Sequence, residues 1–307
     1  MMNNKLVIIG GPTAVGKTKI SIELAKRISG EIISADSMQV YKGMDIGTAK
    51  VTAEEMQGVP HHMIDILDPK EDFNVVEFSK RVKEIISYLH EKDRIPILVG
   101  GTGFYIQSVL YDIDFTDNDN DMTFRHELEE EAKIKGGEVL HERLKAIDPE
   151  AAESIHPNNV KRVIRALEFY EKSKGKISEH NKEQRAKKSP YEYHYFALTN
   201  ERSRIYDNIE KRVDLMLDMG LVEEVRTLLK NGVPRTNVSM QGLGYKEIAA
   251  FIEGEISLDE AIYILKRDTR HFAKRQITWL KREPDVIWFD KSRMSDEEIL
   301  SDMINMI

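Results

Sequence analysis

The residues Gly11-Pro12-Thr13-Ala14-Val15-Gly16-Lys17-Thr18 constrain this chain more than any other stretch. They follow an apolar run, Leu6-Val7-Ile8-Ile9, and open an amphipathic run from Lys19 to Ile28. Strand, then Gly-x-x-x-x-Gly-Lys-Thr, then helix is the context in which this pattern makes a P-loop. Gly11 and Gly16 let the backbone turn its N–H groups inward, and the helix start adds a positive dipole end. Lys17 supplies a mobile charge for a terminal phosphate, and the Thr18 hydroxyl can ligate Mg²⁺, the expected cofactor. The stretch therefore predicts a polyphosphate cradle, as in a nucleotide-binding or ATP-binding protein.

The rest of the chain sets this loop in a layered fold. Glu31-Ile32-Ile33-Ser34 predicts a second strand, and Ile95-Pro96-Ile97-Leu98-Val99 a third that ends in Gly100-Gly101-Thr102-Gly103. Between them, Val75 to Leu89 has helical periodicity, and Pro60-His61-His62-Met63-Ile64-Asp65 leads into a turn at Asp68-Pro69. This alternation predicts an α/β fold, a P-loop NTPase-like doubly wound parallel sheet. Near Asp112 the composition changes. From there to about Pro190 the chain reads as charged amphipathic helices, so residues 113–190 are expected to be a helical insertion domain. Residues 1–112 and 191–307 would form the core. Tyr191 to Leu198 returns to the sheet, and a helical C-terminal region follows, with a last strand at Val286-Ile287-Trp288-Phe289.

There is no cysteine, which excludes disulfides and thiolate metal sites and fits a reducing, cytoplasmic setting. No apolar run approaches a membrane span, and Met1 to Lys5 runs straight into the first strand without the pattern of a signal peptide. A net charge of −8 argues against a nucleic-acid partner, but its distribution does not. Acid concentrates between Asp112 and Glu131, including Asp114, Asp117, Asp119 and Asp121. Base concentrates from Lys161 to Lys188, Arg185 included, and from Lys266 to Arg282. An acidic protein can still present a basic groove.

Asp36 follows the second strand, at the sheet edge where the P-loop also lies. A carboxylate there can be a Mg²⁺ partner, a general base or a turn residue. The Thr102 hydroxyl could donate to a phosphate or cap the helix after it. Adjacent histidines seldom converge on one ion, so His61 and His62 are not read as a metal site. Arg204 and Arg212 share one predicted helix, and either could reach a phosphate. A P-loop alone points to a small-molecule or nucleotide kinase using ATP. However, no paired acidic box ends an apolar strand, and the second domain reads as basic and helical rather than as a short lid.

Several blocks together resemble the tRNA dimethylallyltransferase (isopentenyl-tRNA transferase) family. They are the P-loop, Ala35-Asp36-Ser37-Met38-Gln39-Val40-Tyr41, Pro60-His61-His62 and Gly100-Gly101-Thr102-Gly103-Phe104-Tyr105, followed by His156-Pro157-Asn158-Asn159 with Arg162 and Arg165-Ala166-Leu167-Glu168. Gly242-Leu243-Gly244-Tyr245-Lys246-Glu247 and Lys274-Arg275-Gln276-Ile277-Thr278-Trp279-Leu280 complete the set. The resemblance implies transfer of a dimethylallyl group from dimethylallyl diphosphate to the exocyclic N6 amine of the adenosine 3′ of the anticodon. Gly11, Pro12, Thr13, Ala14, Val15, Gly16, Lys17 and Thr18 would hold the diphosphate, with Mg²⁺ on Thr18. Asp36, Thr102, Lys17 and Arg212 would be catalytic. Asp36, Ser37, Met38, Gln39, Thr102, Lys161, Arg162, Val163, Arg165, Gly244, Tyr245, Lys246, Lys274 and Arg275 would meet tRNA at its anticodon stem-loop. The protein is expected to be a monomer without a membrane partner.

Overall fold

The computed structural model describes residues 4–113 and 123–307, apart from the side chain of Arg185. Met1 to Asn3, and Asp114, Asp117, Asp119 and Asp121 of the acidic tract, lie outside the described residues. The first apolar run forms β1 (Lys5–Gly10), and the P-loop feeds α1 (Lys17–Ile28). Then come β2 (Gly30–Ser34), α2 (Ala53–Met56), β3 (His61–His62), α3 (Val75–Glu91), β4 (Ile95–Val99) and α4 (Gly103–Leu110). Asn74 caps α3 by accepting from the N–H groups of Val76 and Glu77, which fixes where that helix begins.

Five helices follow: α5 (Thr123–Lys135), α6 (Gly137–Ile147), α7 (Pro149–Ser154), α8 (Val160–Ser173) and α9 (Ile177–Ala186). The chain returns through β5 (Glu192–Thr199) to α10 (Arg202–Asp218), α11 (Leu221–Lys230), α12 (Tyr245–Ile252) and α13 (Leu258–Leu280). It ends with β6 (Val286–Asp290) and α14 (Asp296–Met306). Among the described residues no helix is long and apolar enough to cross a membrane.

The described strands form one parallel sheet in the order β3-β2-β4-β1-β5-β6. Successive strands in sequence lie on both sides of β1, so the order reverses there and opens a crevice at the carboxyl ends. Register brings the functional loops level with one another. Ile9 pairs with Val99, Gly10 with Ala197, and Ser34 with Val99. Beyond the strands the backbones stay joined, because Ala35 N–H donates to Val99 O (2.8 Å) and Gly100 N–H to Ile9 O (3.2 Å). The stretch leading into the turn at Asp68-Pro69 contains a short edge strand, in which His61 and His62 pair with Ile32 and Ile33. Two residues are too few to show a strand period, and the open edge of β2 supplies the pairing.

By Cα proximity the chain forms two compact units, Met1–Leu110 with Tyr191–Ile307, and Tyr111–Pro190. The first holds the sheet. A core including Val7, Ile9, Ile20, Leu24, Ile97 and Phe196 fills one side, with Ile299, Leu300 and Met303 of α14 packed into it. The second is helical and encloses Leu128, Leu140, Leu144, Val163, Ile164 and Leu167. Its buried Glu168 is held by Arg125 through Nε (2.9 Å) and Nη2 (2.8 Å), a two-point pairing that keeps the carboxylate satisfied.

Candidate active site

The P-loop conformation depends on its glycines. Gly11 has φ +146°, and a Cβ there would lie 2.8 Å from the Leu198 carbonyl oxygen. Gly16 has φ +95° at the start of α1. Ala14 also adopts positive φ, 63°, although it carries a side chain. It is held by packing against Ile205, Ile209 and Ala273, while Asn208 donates to its carbonyl (3.2 Å). The tip of the loop is thus fixed by α10 and α13, from the other end of the chain. Lys17 Nζ donates to the carbonyls of Gly11 (2.9 Å) and Pro12 (2.8 Å).

A cavity of 610 Å³ opens over the loop. Lys17, Thr18, Asp36, Gly100, Gly101 and Arg212 all line it. Burial brings the Lys17 ammonium down to about 8, helped by the Arg212 charge and opposed by Asp36. Burial likewise pushes the Asp36 carboxyl above the usual carboxylate range, against the Met38 and Gln39 amides and the Lys17 charge, which pull it down. The two amides donate to Asp36 Oδ1 at 2.8 and 3.4 Å, which fixes the carboxylate in a turn. Burial also lowers the Arg212 guanidinium, partly offset by Glu55. Two desolvated cations and one carboxylate of raised pKa in one crevice make a site able to stabilise a leaving anion and accept a proton.

Helix spacing left Arg204 and Arg212 equivalent, the family resemblance pointed to Arg212, and the two differ in their surroundings. Arg212 lines the cavity, whereas Arg204 is exposed and pairs with Glu201 (3.6 Å). Thr102 immediately precedes α4, where its carbonyl accepts from Tyr105 (3.0 Å) and Ile106 (3.2 Å). The cavity wall beside it is the backbone of Gly100 and Gly101. His61 and His62 do not converge on one ion. His61 Nδ1 lies 2.9 Å from Val59 O, and His62 Nε2 lies 2.8 Å from Glu31.

The residues expected to meet tRNA divide sharply. Lys274 and Arg275 are exposed on α13, and Lys161 and Arg162 are exposed in the first turn of α8. Arg165 is half-buried, and burial lowers its guanidinium. Ser37, Met38 and Gln39 are half-buried beside Asp36, with the Gln39 amide donating to Thr48 O (3.3 Å). Lys246 is half-exposed and pairs with Glu247 (3.3 Å), while Gly244 N–H donates to Glu247. The side chains of Tyr245 and Val163 are buried. Tyr245 is 1% exposed, with its hydroxyl on Glu224 (2.7 Å), and Val163 is 0% exposed within the helical core. Each side chain occupies an inward position of its helix.

Two residues with no role in the sequence reading organise the site. Gln276 accepts from the Thr13 N–H through Oε1 (2.8 Å) and donates to Gly101 O through Nε2 (3.2 Å). Glu224 accepts from three consecutive N–H groups, Asp45 (2.9 Å), Ile46 (2.8 Å) and Gly47 (3.0 Å), in the loop that walls the cavity. Each was visible as a polar residue within the apolar stripe of its helix: Gln276 between Ala273 and Leu280, and Glu224 between Leu221 and Leu228.

The donors present fit Mg²⁺ held mainly through a substrate. Among the described residues no three His, Asp or Glu side chains gather as a metal cage. Mg²⁺ keeps several waters and commonly takes one or two protein oxygens plus phosphates. The exposed Thr18 lines the cavity and its hydroxyl is such a hard oxygen.

Comparison with known proteins gives a single answer. Residues 39–283 match the IPP transferase family. The chain is 60% identical over 303 residues to a tRNA dimethylallyltransferase of Lachnoclostridium phytofermentans, covering 98% of this chain and 97% of that one. It is 52% identical to the tRNA dimethylallyltransferase of Carboxydothermus hydrogenoformans, covering 99% and 97%. Among solved structures, the full-length tRNA isopentenylpyrophosphate transferase of Bacillus halodurans superposes with a TM-score of 0.74 at 47% identity, covering 99% of this chain and 95% of that one. A eukaryotic dimethylallyltransferase that acts on tRNA superposes with a TM-score of 0.85 at 30% identity, covering 98% and 78%.

Proposed function

The chain belongs to the IPP transferase family, and from that premise we propose how its own side chains carry out the family's transfer. Its activity is that of a tRNA dimethylallyltransferase, a prenyl transfer that modifies tRNA. The kinase reading that a P-loop alone allows falls with this membership.

In the proposed reaction, the N6 amine of the adenosine 3′ of the anticodon attacks the allylic carbon of dimethylallyl diphosphate. A C–N bond forms there as the C–O bond to diphosphate breaks. An allylic diphosphate ionises readily, so the main demands on the protein are to neutralise the leaving group and to position the amine. Lys17, Arg212 and the amides of the loop from Ala14 to Thr18 take the developing charge. The Thr13 amide is committed to Gln276 and stays outside this donor set. Mg²⁺, held through Thr18, would add further neutralisation of the diphosphate. Asp36 accepts the proton released from N6. Its raised pKa suits a base that must hold that proton. Thr102 would hydrogen-bond near the departing oxygen. The apolar side chains of Ile64, Leu215, Met216, Met219 and Phe272 in the cavity wall offer surface for the dimethylallyl tail.

For the RNA, we assign phosphate contacts to Lys274 and Arg275 on α13, and to Lys161, Arg162 and Arg165 of the helical insertion, with the anticodon stem-loop as the bound part. Ser37, Met38, Gln39, Gly244 and Lys246 would lie along the RNA near the acceptor base, which must leave its stack to reach Asp36. A monomer in the cytoplasm, where tRNA is found, is the working form.

The observation that carries this reading is the meeting of Lys17, Arg212 and Asp36 in one cavity. The test is incubation with unmodified tRNA, Mg²⁺ and dimethylallyl diphosphate labelled in the allyl group. Label should pass to tRNA, at the adenosine 3′ of the anticodon. Label elsewhere, or none together with ATP hydrolysis, would overturn the proposal.

A further inference from the structure

Gln276 sits on α13 one residue beyond Arg275 and two beyond Lys274, but is turned inward. The two cationic residues are exposed, whereas Gln276 is 7% exposed and turned onto the loops of the cavity. Its amide uses both ends. Oε1 takes the N–H of Thr13 in the P-loop, and Nε2 donates to the carbonyl of Gly101 after β4. The two bonds fix the amide's orientation, since only this assignment gives each backbone group a complementary partner.

The loop after β4 is shaped to receive this helix. A Cβ on Gly101 would lie 1.9 Å from Gln276 Nε2, and one on Gly103 would lie 2.1 Å from the Trp279 indole. A side chain larger than hydrogen at Gly101 would displace the Gln276 amide, and one at Gly103 would displace the Trp279 indole. Beyond the pairing of β1 with β4 and the bond from Gly100 N–H to Ile9 O, one side chain ties the P-loop at Thr13 to Gly101, bridging residues 175 and 263 positions away in sequence. A displacement of α13 along its axis must pull on Thr13 and Gly101 together.

We propose that Gln276 is a positioning residue that couples RNA docking to the diphosphate cradle. tRNA phosphates bound to Lys274 and Arg275 set the position of α13, and Gln276 passes that position to Thr13 and Gly101. The cradle then reaches its working spacing when the acceptor is in place. This rests on the proposed contact of Lys274 and Arg275 with tRNA. By linkage, tRNA must raise the affinity for diphosphate by the same factor as diphosphate raises the affinity for tRNA.

The test measures inorganic pyrophosphate binding with Mg²⁺, with and without saturating tRNA, in the wild type and in Gln276→Met. Methionine keeps the volume and removes both hydrogen bonds. The wild type should bind pyrophosphate at least about fivefold tighter with tRNA present. In Gln276→Met that ratio should fall to within about twofold of one, while tRNA alone binds within about twofold of wild type. A residue with a purely structural role would weaken pyrophosphate binding equally with and without tRNA, leaving the ratio unchanged, and that result overturns the proposal. So does a wild-type ratio of one. Gly101→Ala attacks the same bridge from the other side and should also collapse the ratio, which keeps the test open if Gln276→Met folds poorly. The contact reading is checked separately with Lys274→Gln/Arg275→Gln. Unaltered tRNA affinity in that double variant removes the RNA arm, and with it the coupling.

Discussion

Tyr245 donates its hydroxyl to Glu224 at 2.7 Å, and its ring lies so close to Gly47 that a Cβ there would stand 2.6 Å from it. The pair links α12 and α11 to the loop at 45–47, whose three N–H groups converge on the same carboxylate. That loop continues to Thr48 and Ala49, whose carbonyls accept from Gln39, and the Gln39 N–H donates to Asp36. Gly242-Leu243-Gly244-Tyr245 thus acts on the site from behind.

Glu224→Ala should leave three backbone donors without their carboxylate. We predict at least a tenfold fall in kcat/KM for tRNA, on the order of the cost of losing charged hydrogen bonds. Gly47→Ala should cost about 1–3 kcal/mol in urea unfolding, because a buried ring must move. Steady-state kinetics and denaturation check the two independently, and wild-type kinetics in Glu224→Ala would refute the tether.

Asp36→Asn preserves an oxygen to accept from Met38 and Gln39, so the turn should survive while the base is lost. Turnover is expected to fall by about 10²–10⁴-fold, the usual share of a general base. tRNA affinity should stay within about threefold of wild type, since one turn residue among many RNA contacts is conserved in shape. A filter-binding titration beside a single-turnover assay separates the two, and turnover within tenfold of wild type would remove Asp36 from the role.

Lys17 loses its proton near pH 8 in the folded protein, against 10.5 for its ordinary value. A bound diphosphate favours the charged form, so donor binding at pH 8.5 should take up a proton. Titration calorimetry with dimethylallyl diphosphate, without tRNA, in two buffers of different ionisation enthalpy should give different heats. Equal heats would contradict the assignment. The same depressed pKa destabilises the fold while Lys17 is charged, fully below pH 8 and progressively less as pH rises from 8 to 10.5. That cost is about 3 kcal/mol, against roughly 1 kcal/mol for each of the two hydrogen bonds to the loop. Lys17→Met should therefore be inactive yet no less stable than wild type at pH 7, and a marked loss in urea unfolding would contradict this.

Replacing Lys274 and Arg275 with glutamine should weaken tRNA binding and flatten its dependence on salt. With two cations removed from the phosphate backbone, the slope of log K against log salt should change by about 1.5. An unchanged slope would mean that this face of α13 does not meet RNA.

The sheet and its cradle were legible because their signals are local. An apolar run before Gly-x-x-x-x-Gly-Lys-Thr, and another before Gly100, each record a buried parallel strand and its exit. β3 was not legible, since His61-His62 becomes a strand only where β2 offers it an edge. Arg204 and Arg212 could not be told apart by spacing, because the choice depends on which turn of α10 looks into the cavity. Among the RNA-facing expectations, Val163 and Tyr245 are buried, each taken up with the whole of its motif. Val163 belongs to the apolar stripe with Val160, Ile164 and Leu167, and that periodicity already turns it inward. Gln276 and Glu224 needed partners 263 and up to 179 residues away, which no local pattern records.

The bridge from Thr13 to Gln276 also has a chronology. During synthesis the cradle sequence leaves the ribosome 263 residues ahead of the side chain that holds its tip. Asn208 and Ala273, which steady Ala14, come almost as late. A message cut short before that point yields a chain bearing the complete phosphate motif and no clamp. The cradle is among the first sequences made and among the last structures completed, so a growing chain carries no finished site in which an allylic diphosphate could be held and spent on water.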